Sequence, residues 1–187
     1  MTKTLPLAFL FALALTLNAT ALDVTVNLLN AKPGEWIRNI KADSHEHTIY
    51  VSDVTPEAVT VQLIHNHHHK VLSNKLVRIP VSYIKEKGID PNAPGSRADS
   101  LEVKGKTYAV RVVKARSGDT EADYWISSEV PVTGILKKDA YPQNAARITT
   151  TYDEFGTEPI PGILHNTGTP TEANAEFGIP EPETASK

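Results

Sequence analysis

The fold is decided by the stretch His45-Glu46-His47-Thr48-Ile49-Tyr50-Val51, followed by Ser52-Asp53-Val54-Thr55-Pro56-Glu57-Ala58 and then Val59-Thr60-Val61-Gln62-Leu63-Ile64-His65-Asn66-His67-His68-His69. Two runs rich in β-branched and aromatic residues flank Thr55-Pro56-Glu57-Ala58, a composition that makes a turn between two strands. Side chains alternate along a strand, so Ile49 and Val51 share a face with His45 and His47. By the same parity, Val59, Val61 and Leu63 share a face with His65, His67 and His69. A loop over Val54–Ala58 sets Asp53 opposite Val59, and hence His47 opposite His65 and His45 opposite His67. Directly opposed side chains stand about 5 Å apart at Cβ, close enough for imidazoles to share a metal. A loop shorter by one residue instead sets His45 opposite His68 and His47 opposite Asn66.

Six of the seven histidines fall in this stretch, and the seventh is His165. Cysteine is absent, which removes disulfides, Fe–S clusters, Cys-ligated zinc and thiol nucleophiles together. Histidine is left as the leading ligand for a transition metal, and imidazole accepts zinc, copper and nickel. The candidate metal ligands are therefore His45, His47, His65 and His67, with zinc or copper as the cofactor. Three other readings of the tract stand beside that one. It is a solvated rim, an adventitious chelator, or a patch whose imidazoles repel once protonated near pH 6.

Outward from the hairpin, short strand-like runs continue. Asp23–Leu28 alternates polar and apolar, and Trp36–Ile40 follows the turn signal Pro33-Gly34. Leu101–Val103 and Tyr108–Val113 flank Lys104-Gly105-Lys106, a loop with glycine for a positive φ. Ser117-Gly118-Asp119 turns the chain into Ala122–Ser127, and Ala146–Tyr152 gives a last β-rich run. Lys85–Ala98, with two glycines and two prolines, reads as a long loop. With no sustained helical period, the chain is expected to be an all-β, antiparallel domain over residues 22–155. Residues 156–187 hold five of the 13 prolines and little apolar periodicity. They are expected to form a disordered Pro-rich tail, because they bury too little apolar surface to offset ordering entropy.

The chain opens with Lys3, a mostly apolar run over Leu5–Leu17 and Ala19-Thr20-Ala21. That order is a secretory signal peptide over residues 1–21, too short to cross a bilayer comfortably. Cleavage after Ala21 takes the net charge from −3 to −4, since Lys3 is the only charged residue removed. The expectation is a periplasmic or secreted protein with no stable membrane span. Its acidic balance argues against nucleic acid as a partner.

Catalytic templates are missing: there is no G-x-S-x-G, no H-E-x-x-H and no G-x-G. Ser82-Tyr83-Ile84-Lys85 matches S-x-x-K without its partner motifs. Asp119, Glu121 and Asp123 alternate along a strand but lack a calcium loop. Arg111, Lys114 and Arg116 suit a sheet edge protected against pairing. The reading is that the protein is not an enzyme.

Gly105-Lys106-Thr107-Tyr108 and Trp125-Ile126-Ser127-Ser128-Glu129-Val130-Pro131-Val132-Thr133-Gly134-Ile135-Leu136-Lys137, with Gly34-Glu35-Trp36 upstream, resemble a group of exported bacterial β-rich proteins of uncharacterised function. The resemblance covers most of Pro33–Phe155. It implies a curved antiparallel sheet, loosely like the half-barrels of periplasmic lipoprotein carriers, and no activity. Read on their own, Tyr124 and Trp125 belong to core architecture, Pro131 stops a ladder and Gly134 permits a bend. Two functions follow as expectations. The first is an exported non-enzymatic domain binding an apolar small molecule or an envelope protein partner. The second is a periplasmic metal-binding protein using the histidine hairpin.

Overall fold

A computed structural model of the 187-residue chain describes residues 23–68, 70–117, 120–143, 145–157, 160 and 166–172. The expected signal peptide and much of the expected tail lie outside the described residues. Over the rest the chain is all-β, in two sheets.

The first sheet is built on β1 (Glu35–Ile40), β2 (His45–Val54), β3 (Ala58–His67) and β4 (Lys70–Pro80). After β4 come a short helix α1 (Val81–Lys87), then β5 (Arg97–Val103), β6 (Lys106–Ser117), β7 (Thr120–Ile126), β8 (Ile135–Tyr141) and β9 (Ile148–Thr151). Two short strands, β10 (Glu154–Thr157) and β11 (Thr171–Glu172), complete the first sheet at its two edges. Its order is β10-β1-β2-β3-β4-β11, and the second sheet runs β5-β6-β7-β8-β9. All neighbours are antiparallel except β11, which lies parallel to β4. Neither sheet closes into a barrel.

One face of the first sheet carries Ile37, Ile49, Val51, Val59, Val61, Val77 and Ile79, all buried. These join Val103, Tyr108, Val110 and Leu136 of the second sheet, together with Leu28 and Ile84, in one apolar cluster. A smaller cluster uses Val113, Ala122, Tyr124, Ile126, Ile135 and Ala140. Aliphatic side chains fill most of both clusters, in keeping with the 6% aromatic content. Below them, Asp23 ties the N-terminal segment down. Its carboxylate accepts from the Tyr124 hydroxyl at 2.9 Å and from Lys138 Nζ at 2.8 Å.

The turns follow their chemistry. Lys104 and Gly105 both take positive φ, 48° and 77°, the two-residue turn that matches the twist of a β5–β6 hairpin. The Trp125–Lys137 motif is architectural. Tyr124 is buried, Trp125 packs on the larger cluster, and Lys137 Nζ stands 4.2 Å over its ring. Gly134, at φ 71°, donates to Pro131 O at 3.2 Å, and its carbonyl accepts from Ser127 N at 2.9 Å.

Four expectations change. Asp23–Leu28 is not a strand: Thr25 makes an isolated bridge to Ile89, and Val26–Asn30 then coils into a 3₁₀ turn. Val24 and Leu28 are both buried in the larger apolar cluster, so the apolar spacing there serves core packing without a strand. Lys85–Ala98 is not one loop, because α1 extends to Lys87 and β5 begins at Arg97. Lys85 and Lys87 occupy the last turn of α1, where cations complement the helix dipole. Arg111 does not line an edge. Its strand is paired on both sides there, and its guanidinium donates to Pro91 O at 3.3 Å and Ser96 Oγ at 2.6 Å. The expected tail contributes strand residues: β10 runs through Thr157, β11 pairs with Val77 and Arg78, and Ile160 is buried. Asn166 Nδ2 also donates to Asn74 O at 2.9 Å.

Candidate metal centre

The β2–β3 ladder sets His45 opposite His67 and His47 opposite His65. Two departures from the simple loop offset each other on the way. The strands run on to Val54 and Ala58, which shortens the connection, and Asp53 pairs with Thr60 instead of Val59. A bulge between Val51 and Asp53 then restores the register toward the histidines. Thr55 fixes the turn, donating from N to Ala58 O at 2.9 Å while its hydroxyl accepts from Ala58 N at 3.1 Å.

At the other end of these strands, tight turns place the histidines. Lys41 N donates to His45 O at 2.8 Å, closing a turn in which Ser44 has φ 64°. His68, also left-handed at φ 47°, donates from N to Ser44 O at 3.3 Å. The two turns therefore meet at one end of the sheet. By parity the four histidines stand on the face that carries the core, one and two alternations beyond Ile49 and Leu63.

Their rings form a row. His47 stacks on His65 with centroids 4.3 Å apart, and His45 stacks on His67 at 4.1 Å. Between the two stacks, His45 Nδ1 and His65 Nε2 lie 2.7 Å apart, sharing one hydrogen. His68, which sequence reasoning set aside, extends the row with its ring 4.2 Å from His67. Asp43 was also missed, although it precedes His45 by two positions. Its carboxylate accepts from His45 N at 3.3 Å and is held below its ordinary pKa, the backbone and charge of His45 outweighing the effect of burial.

Burial, followed by the neighbouring His65 and Lys41, pushes His47 down to about 4, and burial with His45 lowers His65. Both imidazoles are neutral at neutral pH, so each keeps a lone pair for a metal. Among the described residues no three donors already converge on one point. Coordination here takes side-chain rotation of stacked rings on a fixed backbone.

The depressed pKa has a consequence for stability. Between about 6.5 and 4 the unfolded chain binds a proton that folded His47 refuses. Stability of the metal-free protein is therefore full above that window and falls as pH drops through it. Thermal melts in a chelating buffer will show this fall, and His47→Gln will flatten it. An equally steep fall in the variant contradicts the assignment.

The other sequence candidates do not assemble. Ser82 and Lys85 are exposed on α1. Asp119 lies outside the described residues, and Asp123 accepts from the Tyr141 hydroxyl at 3.1 Å. A polar cleft of about 230 Å³, lined by Asn27, Asn30, Glu35, Ser128 and Glu129, lies at the opposite end of β1 from the histidines.

No family model matches the chain, and no curated protein matches it. A solved structure titled "Crystal structure of MucB" aligns with it at 12% identity and a TM-score of 0.39. That alignment covers 72% of this chain and 57% of the other, so the chain spans little more than half of its neighbour's length.

Proposed function

We propose that this is an exported, non-enzymatic β-domain whose histidine end binds a zinc or copper ion. The observation that carries the reading is the row of four imidazoles on one face, with His45 Nδ1 and His65 Nε2 within 2.7 Å. A tetrahedral metal with two imidazole bonds of about 2.0–2.1 Å needs these nitrogens roughly 3.3 Å apart, so the two rings rotate slightly apart to admit it in place of the hydrogen bond. The apolar-ligand reading has less support. Side chains fill the space where the sheets meet: Ile37, Val51, Val61, Val77, Ile79 and Leu136 are each 0% exposed. Export rests on the N-terminal order of charge, apolar run and Ala-x-Ala.

Isothermal titration of tag-free protein with Zn²⁺ and with Cu²⁺ tests this. Binding is expected at micromolar dissociation constants or tighter, and is lost when His45, His47, His65 and His67 are all replaced by alanine. Millimolar binding, or no loss in the variant, contradicts the reading.

A further inference from the structure

Four histidines on one face suggest four equivalent ligands, but their arrangement is unequal. In an antiparallel ladder the direct pairs are His45 with His67 and His47 with His65. The two diagonals, His45 with His65 and His47 with His67, are equivalent only on a flat sheet. Right-handed twist closes one diagonal and splays the other. Here the His45–His65 diagonal is the closed one, with nitrogens 2.7 Å and ring centroids 5.0 Å apart. His47 and His67 flank it from opposite sides, each stacked on its own cross-strand partner. The order along the row is therefore His47, His65, His45, His67 and then His68.

Resting on the metal reading above, we infer that His45 and His65 form a shared central pair, and that His47 and His67 are alternative third ligands to one exchangeable ion. An ion held by the central pair lies beside both stacks, but bonds of about 2 Å reach a third nitrogen on only one side at a time. The inner set is His47, His65 and His45. The outer set is His65, His45 and His67, with His68 continuing toward the exposed turn. Each set gives three imidazoles and leaves a coordination position for water or for an incoming ligand. The open position lets an incoming chelator bond the ion before it leaves the protein. Imidazole ligands without thiolate select borderline ions such as Zn²⁺ and Cu²⁺ over Mg²⁺ or Ca²⁺. The arrangement fits a carrier that takes an ion at the His68 end and yields it to another chelator.

The test is a Zn²⁺ competition titration against a chromophoric chelator, on tag-free full-length protein whose folding is checked by circular dichroism. His45→Ala or His65→Ala is expected to weaken binding by about 100-fold or more, whereas His47→Gln or His67→Gln alone weakens it by less than about 10-fold. The double variant His47→Gln/His67→Gln falls to the level of the central-pair variants. Glutamine keeps most of the volume of half-buried His47, and His67, half-buried in the neighbouring strand, provides the same comparison should His47→Gln not fold. A flanking substitution as costly as a central one means a single four-ligand centre and overturns the inference. So does a central substitution no worse than a flanking one. Failure of the unsubstituted protein to bind either metal overturns the metal reading itself, a result separate from both.

Discussion

Gly134→Ala is expected to destabilise the protein by about 3–4 kcal/mol, the sum of left-handed backbone strain and steric overlap. Gly134 sits at φ 71°, where a side chain is disfavoured whatever the space. A Cβ there meets Asn27 Nδ2 at 2.0 Å and Ser127 O at 2.8 Å. Asn27 can swing aside, but Ser127 O is backbone and is already fixed by the Ser127–Gly134 pairing that starts β8. The strain therefore propagates into the junction of the 3₁₀ turn with the second sheet, where Thr25 Oγ1 donates to Thr133 O at 2.6 Å. Urea unfolding will register the change as a lower midpoint at an unchanged slope. A shift below about 1 kcal/mol contradicts this role for the glycine.

Asp139→Ala carries the second large effect, about 3 kcal/mol, because it removes the buried anion that Thr149, Lys137 and Arg147 share. Asp139 is 0% exposed. Its carboxylate accepts from Thr149 Oγ1 at 2.7 Å, Lys137 Nζ at 2.9 Å and Arg147 Nη2. Burial alone raises its pKa, but the bonds from Thr149, Lys137 and Arg147 outweigh it and hold the group below the ordinary carboxylate range. The stabilisation is thus complete above the unfolded value of about 3.9 and is lost as pH falls through the lower folded value. Arg147 and Lys137 retain contact with water, which keeps the loss below that of a fully enclosed pair. Denaturation midpoints should differ strongly between Asp139→Ala and the parent at neutral pH and converge under strong acid. Equal midpoints at neutral pH contradict the account.

The β2–β3 hairpin was legible because alternation and a Thr-Pro turn both act locally, and its register at the histidines followed. The turn end was legible only in outline, since a bulge at Ser52 and a shorter connection cancelled each other. Strands β4 and β8 carried weaker signals. Only Val77 and Ile79 of β4 are buried, and β8 interleaves Lys137, Lys138 and Asp139, whose charges are met by Trp125, Asp23 and Arg147 from distant segments. The 3₁₀ turn at Val26–Asn30 escaped for a related reason: Leu28 is buried by tertiary packing against the core, which period-2 reading cannot separate from a strand. At the site, parity gave the four histidines. It did not give the unequal diagonals, which depend on twist, nor Asp43 and His68, which turn geometry brings alongside.

The central claim is that His45 and His65 hold a metal together. Imidazole ¹⁵N spectra of the metal-free protein at neutral pH, followed through addition of one equivalent of Zn²⁺, address it directly. His45 Nδ1 and His65 Nε2 are expected to move together to values typical of metal-bound nitrogen, saturating at one ion per chain. Zinc uptake that leaves these two resonances in place, or no uptake at all, contradicts it.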